Sequence, residues 1–293
     1  MASKYERMTD LYFQALNEIL EPENWSRFLT TACRNFRLSF HEQVMLYAQK
    51  PDATAVLPIE GRNGWNRRFG RWVNRGAKGI AMFDGQSGVR YFFDIADTHE
   101  STKAKPVPIW EVHQEDVDAV TEVLETRFGS LDAREPLGIA LISAANNAVE
   151  DHFQDYLAAL LECKMESNLD VLDAESVEAM FRPLLQNSVG YMLLVRCGVD
   201  PELYFQAEDF RYIGGFNTLQ TLNALGTAVS DISAMCLSEI ARTALRRQHE
   251  RENHTFAESS EKKYSVVRNQ KNEQERGEEH DSYHLHEAGG LSS

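Results

Sequence analysis

Residues 64–83, GWNRRFGRWVNRGAKGIAMF, set Arg67, Arg68, Arg71, Arg75 and Lys78 beside Trp65 and Trp72, with Arg62 just upstream. No carboxylate lies between Arg62 and Asp84, in a chain whose formal net charge is −15. Cations neutralise phosphates, and the planar guanidinium both forks onto phosphate oxygens and stacks on rings. Flat aromatic faces stack unpaired bases, at about 1–3 kcal/mol per base and with little regard to sequence. The chemistry available is therefore binding of a single-stranded nucleic acid. Arg62, Arg67, Arg68, Arg71, Arg75 and Lys78 would hold phosphates. Whichever of Tyr47, Trp65, Trp72 and Tyr91 faces solvent would stack bases. Trp65, Phe69 and Trp72 also fit one helix face, on which they would be core anchors and the arginines a solvated surface. That alternative leaves the missing acids unexplained, because ordinary solvated faces mix signs.

The elements that must carry this island are legible as patterns. Residues 4–20 space Met8, Leu11, Tyr12, Ala15, Leu16 and Ile19 as one helical stripe that Pro22 ends. PENWSRFLTTACRNFRLSFHEQVMLYAQK reads as two helices meeting near Leu38, with Ser39 as N-cap and Pro51 as terminator. ATAVLPI has strand character, and GWNRRFGRWV reads as one short helix running into a strand. GIAMFDGQSGVRYFFDI reads as a hairpin, and HESTKAKPVP as a linker. Beyond it, residues 110–128, 146–163, 174–197 and 216–248 carry helical spacing. After His249 dense mixed charge and few apolar residues predict a disordered tail or linker. The sequence ends without structural closure and reads as a piece of a longer protein.

Charge divides by region. From Glu21 to Ile80 ten bases face five acids; from Pro106 to Phe210 five bases face 21 acids. The expected fold is α+β: N-terminal helices packed on a small antiparallel sheet (1–100), an acidic, mostly helical second domain (106–249) and the tail (250–293). Apolar content of 43% suits a soluble globular chain. No apolar h-region opens the sequence and no apolar run nears the ~18 residues of a membrane span. Cys33, Cys163, Cys197 and Cys236 form no CxxC and read as reduced thiols, so a cytoplasmic location is expected.

SFHEQVMLYAQKPDATAVLPIEGRNGWNRRFGRWVNRGAKGIAMFD, followed by VRYFFDIADT, resembles the N-terminal single-stranded-DNA-binding domain of ArdC-type anti-restriction proteins. It is similar, too, to the start of large proteins of Firmicutes conjugative elements. Ser39, Phe40, Gln43, Leu46, Ala48, Gln49, Pro51, Ala53, Thr54 and Val56 carry the first part of the likeness. Trp65, Gly70, Arg71, Val73, Gly76, Lys78, Gly79 and Ile80 carry the second, and Phe93, Asp94 and Thr98 the last. The resemblance covers roughly residues 5–100 and implies a DNA-handling module of a mobile element. ArdC-type proteins carry a zinc peptidase-like domain next, but no HExxH stands here: HEQVM at His41 lacks the second histidine, and HERENH at His249 has it at i+5. SVGYMLLVRCGVDPELYFQAEDFRYIGGF, with LGTAVSDI further on, faintly resembles the helices that follow the metal site in such peptidases, which implies a helical domain that has lost its metal; the alternative is an unrelated helical bundle.

No phosphate-loop, dinucleotide, nucleophile-elbow or deaminase pattern is present. His280, His284 and His286 fall in the tail, and Glu150, Asp151, His152 and Asp155 read as surface pairs. The expectation is a non-enzyme with no catalytic residues, no metal and no cofactor, binding single-stranded DNA without sequence preference and away from membranes. The alternative is a protein-interaction or scaffold module whose acidic helices dock conjugation or restriction-system proteins. Oligomeric state is not legible.

Overall fold

The computed structural model describes residues 3–59, 61–85 and 88–287, with residues 254–287 described by backbone alone. Three helices open the chain: α1 (Lys4–Glu18), α2 (Pro22–Arg34) and α3 (Phe40–Gln49). Ser3 and Glu6 close a reciprocal cap on α1, and Pro22 starts α2, where its missing N–H costs nothing. Ser39 N donates to Glu42 Oε2 at 3.0 Å, so α3 begins as its capping residues predict.

Five short strands follow around one short helix. They are β1 (Val56–Pro58), α4 (Trp65–Phe69), β2 (Arg71–Val73), β3 (Ile80–Asp84), β4 (Gly88–Asp94) and β5 (Thr98–Glu100). β1, β4 and β3 form an antiparallel sheet in that order, with Val56 opposite Asp94 and Ile80 opposite Phe92. β2 and β5 make a separate antiparallel ribbon, with Trp72 opposite His99. The free edge of β3 is capped by the Gln49 amide, which donates to Ala81 O and accepts from Ala81 N, both at 2.9 Å. One side chain thus supplies the bonds a further strand would make.

Among the described residues four α-helices follow: α5 (Val117–Phe128), α6 (Leu137–Cys163), α7 (Ala174–Arg196) and α8 (Leu219–Glu287). α6 starts nine residues earlier than its apolar spacing predicts, because Gly138, Ala140, Ala144 and Ala145 are small residues buried by close packing rather than a large-residue stripe. The expected α+β architecture is the one observed. Residues 250–287, expected as a tail, have helical backbone as the end of α8, and residues 288–293 lie outside the described ones. A window inside Leu219–Asn253 reaches a mean hydropathy of 1.2, long and apolar enough to cross a membrane by length and composition. Yet 61% of it is buried against the rest of the protein, as in the core helix of a soluble fold.

Residues 1–244 form one compact unit and 245–293 a second. Residues on both sides of the division expected near residue 100 fall within the first unit. α2 buries Trp25, Phe28, Leu29, Thr31, Ala32 and Cys33, more than a small sheet can cover, and much of that face lies on α7. Trp25 Nε1 donates to Ser188 Oγ at 2.8 Å where both are fully buried, and Ser230 Oγ donates to Gln43 Oε1 at 2.9 Å. Bonds of this kind fix register in a core that apolar contact alone would leave slippery.

Ser188→Ala leaves the Trp25 indole N–H buried without an acceptor, at a cost of about 2 kcal/mol. Thermal unfolding of the full chain should show a midpoint lower by roughly 4–8 °C, part of it recovered by Trp25→Phe in the same background. Burial also pushes the thiols of Cys33, Cys197 and Cys236 up to about 12. At pH 8 only about one such thiol in ten thousand is thiolate. A thiol reagent should therefore label Cys163, the half-buried one, well ahead of the other three until the chain is unfolded.

Candidate nucleic-acid interface

α4 is one and a half turns long and points Trp65 and Phe69 inward. They pack with Phe93 from β4 in a small core completed by Leu57, Ile59, Val73 and Val107, among others. Trp65 is fully buried and its Nε1 donates to Phe93 O at 2.8 Å, so it cannot stack a base: of the two readings, the core anchor holds for this ring. The inward pair at i and i+4 turns Arg67 and Arg68 to the solvent side, where both are exposed. The Arg68 guanidinium lies 5.1 Å from the Phe69 ring centre.

Gly70 ends α4 in the left-handed region (φ 63°), which glycine enters without the Cβ penalty, and the chain then turns into β2. Alternation along β2 puts Arg71 and Val73 on one side and Trp72 on the other. Arg71 is 11% exposed and wholly engaged: Nε donates to Thr98 Oγ1 (2.8 Å), Nη2 to Thr98 O (3.2 Å) and Nη1 to Glu100 Oε1 (2.7 Å). It clamps the ribbon and is not available to a phosphate, contrary to expectation. Trp72 is 53% exposed, beside the exposed His99, whose Nδ1 is 2.8 Å from Asn74 Oδ1.

The turn after β2 carries Arg75 and Lys78, both exposed, and leads through Gly79 into β3. A Cβ at Gly79 would stand 2.8 Å from the Tyr91 ring and 2.9 Å from Phe93, so this turn lies directly against Tyr91. Tyr91 is 36% exposed, and the Lys4 ammonium sits 4.2 Å from its ring centre. Tyr47 does not join this group. It is on α3 about 200° around the axis from Gln49, which faces β3, and it packs edge-on against Phe28. Burial, and then Glu18, hold its phenol above the ordinary pKa. Arg62 is exposed in the loop between β1 and α4.

The electrostatics come from pairing as much as from composition. Residues 61–105 hold nine bases and four acids. Asp94 and Asp97 face Lys50 at 3.5 and 2.8 Å, and Glu100 faces Arg71. Burial works against the Lys50 charge, but the hydrogen bond to Asp97 and the nearness of Asp94 outweigh it and raise its pKa. Among the described residues, Arg62, Arg67, Arg75 and Lys78 have no ion pair or side-chain hydrogen bond. Three of the four local acids are therefore neutralised in place, and the cations are left to solvent.

Three lysines escaped the sequence reading. Lys4 comes from a helix read only for its apolar stripe. Lys103 and Lys105 lie in the stretch read as a linker, yet that stretch is bonded to α4: Lys105 N donates to Phe69 O (2.9 Å) and Ser101 N to Gly70 O (3.1 Å). The alternation of lysine with small residues was the available signal. Among the described residues, no group of three or more His, Cys, Asp and Glu side chains could hold a metal ion.

No family model, curated protein or solved structure matches this chain.

The chain's four tryptophans differ sharply in exposure: Trp25 and Trp65 are fully buried, Trp110 is 5% exposed and Trp72 is 53% exposed. Acrylamide should quench Trp72 emission and little else. Trp72→Phe should remove the quenchable, red-shifted component and leave a blue-shifted spectrum, with the far-ultraviolet dichroism unchanged.

Proposed function

We propose that the chain binds single-stranded DNA without sequence preference, through the surface formed by α4, the β2–β5 ribbon and the turn after β2. The observation that carries this is Trp72, more than half exposed, with Arg67, Arg68, Arg75 and Lys78 close to it in the chain and without ion pairs among the described residues. An exposed indole costs solvation and contributes nothing to the core, so a flat apolar partner is its natural occupant. Unpaired bases supply that face and phosphates supply the anions. A duplex hides its base faces in the stack and suits the indole poorly. In this reading Arg62, Arg67, Arg68, Arg75 and Lys78 hold phosphates and Trp72 stacks a base, with Tyr91 at the far side of the Arg75–Lys78 turn. Arg71 shapes the platform instead of touching the strand.

The resemblance to ArdC-type domains supports the same reading and adds a setting, a mobile-element protein in the bacterial cytoplasm. The role is that of a binding module and not of an enzyme. The acidic helices α5–α7 repel a polyanion and so favour one face for it. The competing role, a scaffold that docks conjugation or restriction proteins through those helices, predicts no affinity for oligonucleotide.

Labelled oligo(dT) titrated against the full chain distinguishes them by anisotropy. Binding should weaken with salt, at a log–log slope of about −3.5 for those five phosphate contacts. Trp72→Ala should cost roughly tenfold in affinity with the slope retained, because it removes a stack and not a charge. Arg75→Glu with Lys78→Glu should lower both affinity and slope. Absence of binding by the folded wild-type chain at low salt overturns the proposal.

A further inference from the structure

Residues 101–105, STKAK, are seated on the end of α4 rather than passing over it. Ser101 N donates to Gly70 O at 3.1 Å, Lys105 N donates to Phe69 O at 2.9 Å, and Ala104 N donates to Ser101 O at 3.0 Å. Lys103 N donates to Ser101 Oγ at 3.2 Å. The approach is so close that a Cβ on residue 70 would lie 2.8 Å from Lys103 O and 3.2 Å from Ala104 Cα. Beyond the segment Val107 packs on the Trp65–Phe69–Phe93 core, so both ends are tied: Glu100 by β-pairing and Arg71, and Val107 by apolar contact.

This seating carries two lysines. Lys103 and Lys105 are exposed, and neither has an ion pair among the described residues. Lys105 N is bonded to Phe69, the last residue of α4, and Ser101 N to its cap Gly70, one and two residues from Arg68, while Lys103 N is held to Ser101 Oγ. The neighbouring acid Glu100 is already taken by Arg71. A cation on an anchored backbone gives up less freedom on meeting an anion than one on a loose linker, so more of its attraction appears as affinity.

We propose that residues 101–105 form a phosphate-binding rail of the same surface, with Lys103 and Lys105 as its contacts and Gly70 as the position that seats it. The inference rests on the single-stranded-DNA reading and extends it. The occupied surface then runs from the Arg75–Lys78 turn and Trp72, across the ribbon end, to the junction of α4 with the lysine segment. The ligand class is a sugar–phosphate strand longer than a few nucleotides, since a mononucleotide could meet one end only.

The test is the same anisotropy titration on the full chain, with three variants and a melting curve for each. Lys103→Gln with Lys105→Gln should weaken oligo(dT) binding about tenfold at low salt and make the log–log slope shallower by about 1.4, two contacts at 0.7 each. Gly70→Ala keeps every cation but unseats the segment, and should reproduce the loss of affinity. Arg134→Gln with Arg242→Gln removes the same net charge from the helical half and should leave affinity and slope unchanged. If the double lysine variant binds as the wild type does while Arg75→Glu with Lys78→Glu is impaired, the rail is wrong and the DNA reading stands. If the Arg134 and Arg242 control loses as much as the lysine variant, the effect is bulk charge and the rail is again wrong. If the wild type itself does not bind, both fall. Should Gly70→Ala not fold, the lysine pair against its control decides alone.

Discussion

The Arg71 guanidinium donates to Thr98 Oγ1, Thr98 O and Glu100 Oε1, all on the strand opposite its own. A two-stranded ribbon three residues long is marginal in water, and bonds from a charged donor are among the strongest a short ladder can recruit. With Arg71 committed to the inner side, alternation leaves Trp72 outward. The same contact neutralises Glu100, which would otherwise stand beside the cations. The shape of this surface and its electrostatics thus depend on one side chain that itself faces away from Trp72.

The rest of the small domain supports that arrangement from behind. Trp65 and Phe69 hold α4 to β4, Asp94 accepts from the backbone of Thr54, Ala55 and Ile95, and Lys50 ties Asp94 to Asp97. Gln49 closes the exposed edge of β3. Each device uses a polar side chain to satisfy backbone groups that short strands leave open, and each fixes a neighbouring turn. The larger core beneath joins α2 and α3 to α7 and α8 through buried hydrogen bonds as well as apolar contact. The platform belongs to a compact unit of residues 1–244.

Charge segregation follows a consistent logic. Acids are abundant along the helices after residue 106, where a few pair locally, as Glu150 and Glu178 do with Arg182. Around the platform the acids are few and mostly committed to internal partners. A net charge of −15 and a locally cationic surface coexist because exposed charges more than about 10 Å apart are screened at moderate salt.

Apolar periodicity, capping residues and prolines determined the helices α1–α3, α5 and α7, the short helix running into a strand at Trp65–Val73, and the β3–β4 hairpin. These are local properties, set by side chains a few positions apart. The acid-free run from Arg62 to Asp84 was equally plain in the text. What the text could not contain was orientation. Trp65 and Trp72 look alike in sequence, and one is a core anchor while the other faces water. Arg71 and Arg75 look alike, and one is sealed against Thr98 and Glu100 while the other is open. β5 has no apolar alternation and exists because β2 lies beside it; the lysine segment looked like a linker because its partners, Phe69 and Gly70, are more than thirty residues away. Chain neighbours share composition, but exposure and pairing are decided by distant groups that folding brings within bonding distance.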